Sequence, residues 1–291
     1  MMIQKSFDNE AEGAIFLVPT PIGNLEDITY RALNTLKTAN VIAAEDTRNT
    51  KKLLNYFEIN TPLTSYHEHS NLGKIEDLIR QAEEGAKIAV VSDAGMPAIS
   101  DPGSGLVEEA LKRNVKVIVL PGANAALAAL VGSGMSTNEF YFYGFLPRKK
   151  KEKIEALTDL KKISATLLFY ESPFRVKDTL ENIRDTLGNR KVALARELTK
   201  RFEEYIRGTV DDLLAWVKTN ELKGEFVIVV EGAEAGAEDA EDNWWSNLGV
   251  KEHVDHYIET EGISSKEAIK QVAKDRGVPK RTVYQTYHIE E

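Results

Sequence analysis

The sequence contains no cysteine. Disulfides and thiolate metal sites are therefore excluded, and a reducing, cytoplasmic compartment is the expectation. No apolar run approaches the length of a membrane span, so no membrane association is expected. The stretch from Met1 to Glu10 lacks an uninterrupted apolar core, which predicts no secretory signal. Three catalytic signatures are missing as well. There is no glycine-rich loop ending in Gly-Lys-Ser or Gly-Lys-Thr, no Gly-x-Gly-x-x-Gly after a strand, and no Gly-x-Ser-x-Gly elbow. P-loop chemistry, an ordinary dinucleotide site and α/β-hydrolase chemistry are all disfavoured. The nearest approach to a metal cluster is His67-Glu68-His69. Its spacing differs from the helical His-Glu-x-x-His type, and we read it as a surface loop reaching toward substrate, with no metal expected.

What is present is a set of three glycine- and proline-punctuated turns, each directly after a short apolar run. Phe16-Leu17-Val18 leads into Pro19-Thr20-Pro21-Ile22-Gly23-Asn24. Ile88-Ala89-Val90-Val91 leads into the loop from Ser92 to Gly103, and Val117-Ile118-Val119-Leu120 into Pro121-Gly122-Ala123-Asn124. Loops at the carboxyl ends of parallel strands are where open α/β sheets bind ligands. Glycine there lets backbone approach a ligand, and proline stiffens the loop. The pattern predicts a small-molecule pocket built largely from backbone.

Over the first 230 residues short apolar runs alternate with helical patterns, as in an α/β protein. Strands are predicted at 15–19, 41–44, 87–91, 116–120, 140–144, 165–170, 191–195 and 225–231. Helices are predicted at 28–38, 47–57, 71–84, 104–113, 123–131, 149–160, 174–186 and 209–218. Residues 233–242 are acidic and poor in large apolar side chains, and read as a linker. Residues 243–291 then form a separate helical unit. Ser264 and Glu267 make a capping box, Gly277 offers a left-handed stop, and Val278-Pro279 opens a second helix. This is either a helix-turn-helix or a plain helical hairpin used for packing.

Net charge is −9 and the isoelectric point is near 5.3, which by itself argues against a nucleic-acid partner. Two local excesses of base argue the other way. Seven basic residues face three acids from Leu146 to Lys162, and six face two from Lys266 to Arg281. Charged groups also gather just past the predicted strands. Glu45-Asp46-Thr47-Arg48 either orients a hydroxyl or phosphate or simply caps a helix. Glu171, Arg175 and Arg196 stand in comparable places.

Together these segments resemble the tetrapyrrole methylase superfamily, and more closely its small-subunit ribosomal RNA (cytidine-2′-O-)-methyltransferase I family. The matching stretches are Leu17 to Thr29, Ala44 to Arg48, Ser65 to His69, Ser92 to Gly103, Pro121 to Ala125, Phe142 to Pro147, Phe169 to Pro173 with Arg175, split only by Phe174, and Arg196 to Lys200. They span about residues 15–232, and the C-terminal unit also looks like that family's extra domain. Pro19 and Pro21 stand where the tetrapyrrole enzymes carry a more glycine-rich loop, which favours the RNA branch.

The resemblance implies two α/β domains, 1–125 and 126–232, with S-adenosylmethionine in the cleft between them, and a helix-turn-helix-like domain beyond. It implies a cofactor site from Ile22 and Gly23, from Asp93, Gly95, Met96 and Pro97, and from Asn124 and Ala125. Tyr170, Ala195 and Glu225 would close it from the second domain. Glu45, Arg48, Glu68 and Arg175 are the candidates for orienting or activating an acceptor. The implied reaction is 2′-O-methylation of a cytidine in 16S rRNA, on naked RNA or the assembled subunit, by a homodimer. The alternative is a tetrapyrrole or other small-molecule methyltransferase on the same fold.

Overall fold

A computed structural model describes residues 3–6, 13–67, 72–234, 245 and 247–288. By its contacts the chain divides into two units, Met1–Gly232 and Ala233–Glu291.

The larger unit opens with β1 (Ala14–Leu17), α1 (Tyr30–Thr38), β2 (Val41–Ala44), α2 (Thr47–Tyr56), β3 (Leu63–Ser65), α3 (Leu72–Glu83), β4 (Lys87–Val91), α4 (Ser104–Lys112) and β5 (Lys116–Val119). The strands form a parallel sheet in the order β3-β2-β4-β1-β5. These runs are apolar on both faces because both faces are covered. Leu36 of α1 and Leu54 of α2 pack with Ile42, Ala89 and Ile118 on one side. Leu78 of α3 and Leu106 of α4 pack with Ile15, Ile88 and Val90 on the other. Leu17 lies between Val90 and Val119 in register. The ends of β4, β1 and β5 are therefore neighbours, and their three loops emerge side by side.

The chain continues through α5 (Ala125–Ser133), β6 (Phe140–Phe145), α6 (Lys150–Asp159), β7 (Thr166–Glu171), α7 (Val176–Leu187), β8 (Lys191–Arg196), β9 (Glu204–Thr209), α8 (Val210–Thr219) and β10 (Phe226–Val230). The second sheet runs β6-β7-β10-β8-β9. Only β6 and β7 are parallel; β10 is antiparallel to both β7 and β8. One face buries Leu157, Leu180 and Leu213 from α6, α7 and α8. The other is covered by α5, whose Ala126, Ala129 and Leu130 pack on Leu168, Ala193 and Val227.

The sequence pattern misses β3 and β9. Both are edge strands: β3 has three residues, and β9 carries Glu204, Arg207 and Gly208, so neither makes an apolar run. Among its described residues the smaller unit also has one helix more than the pattern predicts. The described part contains α9 (Val250–Glu261), α10 (Ser265–Asp275) and α11 (Lys280–His288) around Val254, Ile269, Val272 and Val283. The capping box forms: Ser264 Oγ accepts from Glu267 N at 3.4 Å, and Glu267 Oε2 accepts from Ser264 N at 3.2 Å. Gly277 is left-handed, at φ +62°. Of the linker expected at 233–242, residues 235–242 lie outside the described residues.

Candidate active site

The first two loops are joined by backbone. Thr20 N donates to Gly95 O at 2.9 Å, Gly95 N returns a bond to Thr20 O at 3.0 Å, and Thr20 Oγ1 donates to Ser92 O at 3.3 Å. Gly95 has φ +77°. Ala98 at +67° and Ser100 at +60° take the same left-handed conformation without being glycine. Such strain costs about 1–2 kcal/mol per residue and persists where the surrounding structure over-determines it. In the third loop Asn124 caps α5, its Oδ1 accepting from Leu127 N at 3.0 Å.

These loops and the strand ends of the second sheet enclose a cavity of about 360 Å³. Ile22, Asp93, Gly95, Met96, Asn124 and Ala125 line it from the loops. Tyr170, Ala195 and Glu225 line it from β7, β8 and the approach to β10. Gly23 and Pro97 do not line it. A Cβ on Gly23 would lie 2.5 Å from Lys200 Cγ and 2.8 Å from Thr199 Oγ1. Its bare backbone therefore lets the first loop dock on the β8–β9 loop, where Asn24 N donates to Thr199 Oγ1 at 3.0 Å. Pro97 is buried within its own loop.

Further lining groups that the sequence reading does not assign to the cofactor include Ser100, Asp101, Phe145, Glu171, Glu197 and Lys200. These six lie inside the stretches that carry the family resemblance, which is the signal that marks them. Lys200 Nζ donates to Glu197 Oε1 at 2.9 Å and to Glu225 Oε2 at 3.2 Å. That hydrogen bond from Lys200 holds the Glu197 carboxyl below its ordinary range. Burial pushes the Tyr170 phenol above its ordinary range.

The acceptor candidates are placed differently from one another. Glu45 and Arg48 do not line the cavity. Their segment reaches it through Asp93, whose Oδ1 accepts from Asp46 N at 3.2 Å and whose Oδ2 accepts from Asn49 Nδ2 at 3.5 Å. Asp46 is also the N-cap of α2, accepting from Arg48 N at 2.8 Å. Its carboxyl is held low chiefly by the Arg48 guanidinium. The cap and the charged cluster offered as alternatives from the sequence therefore coexist. Arg175 turns inward: its Nη2 donates to Leu146 O and Pro147 O, each at 2.9 Å, and its Nε lies 3.5 Å from Glu171 Oε1. Glu68 and His69 lie outside the described residues.

Glu171 anchors a polar cluster behind the cavity wall. Its Oε1 accepts from Ser172 N at 2.9 Å and its Oε2 from Thr179 Oγ1 at 2.7 Å. The buried Lys153 donates to the same Thr179 Oγ1 at 3.0 Å and to Asp178 Oδ2 at 2.6 Å.

This is a two-sheet α/β protein with a loop-built, carboxylate-rich cavity where the sheets meet, the architecture of a methylase. The family model for Tetrapyrrole (Corrin/Porphyrin) Methylases matches residues 14–214. Among solved structures, cobalt precorrin-4 methyltransferase aligns with a TM-score of 0.58 at 18% identity, over 78% of this chain and 98% of that one. A uroporphyrin-III C-methyl transferase from Thermus thermophilus, solved with S-adenosyl homocysteine, aligns with a TM-score of 0.53 at 18% identity, over 75% of this chain and 97% of that one. Two proteins named ribosomal RNA small subunit methyltransferase I are far more similar. That of Bacillus subtilis is 52% identical over 289 residues, 99% of each chain. That of Halalkalibacterium halodurans is 55% identical over 295 residues, 100% of each. The chain belongs to the tetrapyrrole methylase family and, within it, to the ribosomal RNA small subunit methyltransferase I family; it is a methyltransferase.

Proposed function

We propose that the chain transfers a methyl group from S-adenosylmethionine to the ribose 2′-hydroxyl of a cytidine in 16S ribosomal RNA. It acts as a cytoplasmic homodimer on the RNA or the assembled small subunit. The observation that carries this reading is the cavity of about 360 Å³ at the meeting of three parallel-strand loops and the second sheet. Its volume falls within the range of small-molecule sites. Its lining fits the donor. Ile22, Met96, Ala125 and Leu198 offer an apolar slot for a flat base, and among the described lining residues the carboxylates Asp93, Asp101, Glu197 and Glu225 outnumber Lys200, which suits a cationic ligand. The bound donor supplies an electrophilic methyl group.

A ribose hydroxyl is a weak nucleophile, so alignment matters more than a strongly shifted base. Glu45 and Arg48, tied through Asp46 to Asp93, orient the acceptor; Glu45 and Glu68 are the base candidates. Arg175 acts on the rim through the carbonyls it holds. Support for RNA as the acceptor comes from the relatives' name and from the smaller unit, where Lys266, Lys270, Lys274, Lys280 and Arg281 are all exposed. A tetrapyrrole substrate leaves these cations without a role. Support for the homodimer comes from the exposed apolar side chains Val119, Leu127 and Val131 on β5 and α5. No helix among the described residues is long and apolar enough to cross a membrane.

The test is transfer of tritium from labelled cofactor to undermethylated small subunits and to free 16S rRNA, with nuclease mapping of the product. A methylated nucleotide resistant to alkaline cleavage is expected. A base-methylated nucleoside with its 2′-hydroxyl still open to alkali overturns the reaction, and transfer to a tetrapyrrole but not to RNA establishes the alternative.

A further inference from the structure

Phe174 is 95% exposed, an unusual placement for a phenylalanine beside a ligand cavity. It stands at the tip of the turn Ser172–Arg175, closed by Arg175 N donating to Ser172 O at 3.0 Å. The preceding residues, Ser172 and Pro173, line the cavity. The turn is held from below. Arg175 Nη2 donates to Leu146 O and Pro147 O, so one guanidinium ties the Phe174 turn to the chain leaving β6. Phe145, the last residue of that strand, also lines the cavity and is 56% exposed. Its ring packs edge-on against Tyr170, with centroids 5.5 Å apart. Scattered exposed apolar side chains need no explanation. Here Phe145 lines the cavity, Phe174 tips a turn whose Ser172 and Pro173 line it, and the Arg175 guanidinium ties the two segments together.

The neighbouring charge is complementary to a polyanion. Arg148, Lys149, Lys150 and Lys151 follow Pro147 directly, and all four are exposed. An aromatic face beside a run of cations is how proteins engage single-stranded RNA: rings stack on unpaired bases while cations meet the phosphates.

We propose that Phe174, together with Phe145 of the cavity lining, is a stacking platform for an unpaired base of the acceptor RNA at the cavity mouth. The inference rests on the reading that the acceptor is RNA.

The experiment measures methyl transfer to undermethylated small ribosomal subunits by the parent chain and by Phe174→Ala, Phe174→Leu and Phe174→Trp. Cofactor affinity by calorimetry and self-association by sedimentation are recorded alongside. Because the side chain is solvent-exposed, all three variants should fold. Phe174→Ala and Phe174→Leu should lose roughly ten- to hundredfold in kcat/KM, the measured scale of base–aromatic stacking, with cofactor affinity unchanged. Phe174→Trp should keep the parent's rate. Parent-like activity in Phe174→Ala overturns the platform, and parent-like activity in Phe174→Leu overturns stacking as its basis. A loss that tracks a weakened self-association assigns the ring to a subunit contact and overturns the proposal too. If the parent itself transfers nothing to subunits or rRNA, the RNA reading has failed and the platform falls with it.

Discussion

Thr20 and Gly95 exchange a pair of backbone hydrogen bonds, so the loops after β1 and β4 are one unit although 75 residues separate them. Gly95 sits at φ +77°, and a Cβ there would lie 3.2 Å from Ile22 Cγ2 and 3.5 Å from Ala123 O. Gly95→Val adds a β-branched side chain to a left-handed position between all three loops. Cofactor affinity should fall by about tenfold or more, with a loss of roughly 1–3 kcal/mol in stability. Calorimetry and thermal melting check both, and undiminished binding would move the pocket elsewhere.

The segment that carries Glu45 and Arg48 is joined to the cavity through Asp46 and Asp93. Arg48→Ala and Glu45→Gln should therefore lower kcat by roughly a hundredfold while cofactor affinity stays within a few-fold, the signature of lost alignment. Full turnover in both variants, measured with saturating subunits, would remove the segment from the active site.

Lys153 is 1% exposed, and its ammonium meets Asp178 and Thr179. Lys153→Ala removes both bonds and leaves a void, but Asp178 is 54% exposed and water can take over its carboxylate. The expected cost is about 2–4 kcal/mol in urea unfolding, and Lys153→Met, which fills the space, should lose less. Equal losses in the two variants would show that the charge alone matters.

His253 in the smaller unit is fully buried, with its Nδ1 accepting from Arg276 Nε at 3.1 Å and its ring stacked between Trp245 and Tyr257. Desolvation, then the Arg276 charge, brings its pKa down to about 4, against an opposing pull from Asp275. The folded form thus prefers the neutral ring. Above pH 6.5 the group is neutral in both states and carries no pH dependence. As pH falls from 6.5 toward 4 the unfolded chain takes up the proton first, and the unit loses about 3 kcal/mol from this group. Acid titration followed by tryptophan fluorescence should show this loss in the parent and a smaller one in His253→Gln. Identical profiles would assign the acid lability to carboxylates.

Removal of residues 243–291 should leave cofactor binding intact and weaken RNA binding most at low salt. Lys266, Lys270 and Lys274 recur every fourth residue on α10, and Lys280 and Arg281 open α11. Arg276 is committed to Leu248 O, Gly249 O and His253. If the five exposed cations each meet a phosphate, the slope of log affinity against log salt should drop by about 3–4 on truncation. An unchanged slope would assign the unit to packing.

Much of this protein was legible locally. A strand run ending in Pro-x-Pro-x-Gly or Pro-Gly predicts a tight loop because φ restriction and the missing Cβ act within a few residues. The Ser264–Glu267 box and the Gly277 stop were readable for the same reason. β3, β9 and α9 were not: edge strands satisfy only one neighbour, and the buried residues of α9, His253, Val254 and Tyr257, include a histidine and stand among charges.

By itself, then, the sequence determined the α/β alternation, the position of three ligand loops and the family. Tertiary structure decided what those loops do together. Strand order put β4, β1 and β5 side by side, so loops far apart in sequence came to share one cavity. It also decided between roles that residue type leaves open. Gly23 clears space for Lys200, and the Arg175 guanidinium is spent on two carbonyls of its own chain. No local pattern encodes either outcome, because each depends on which distant backbone arrives within hydrogen-bonding or van der Waals reach.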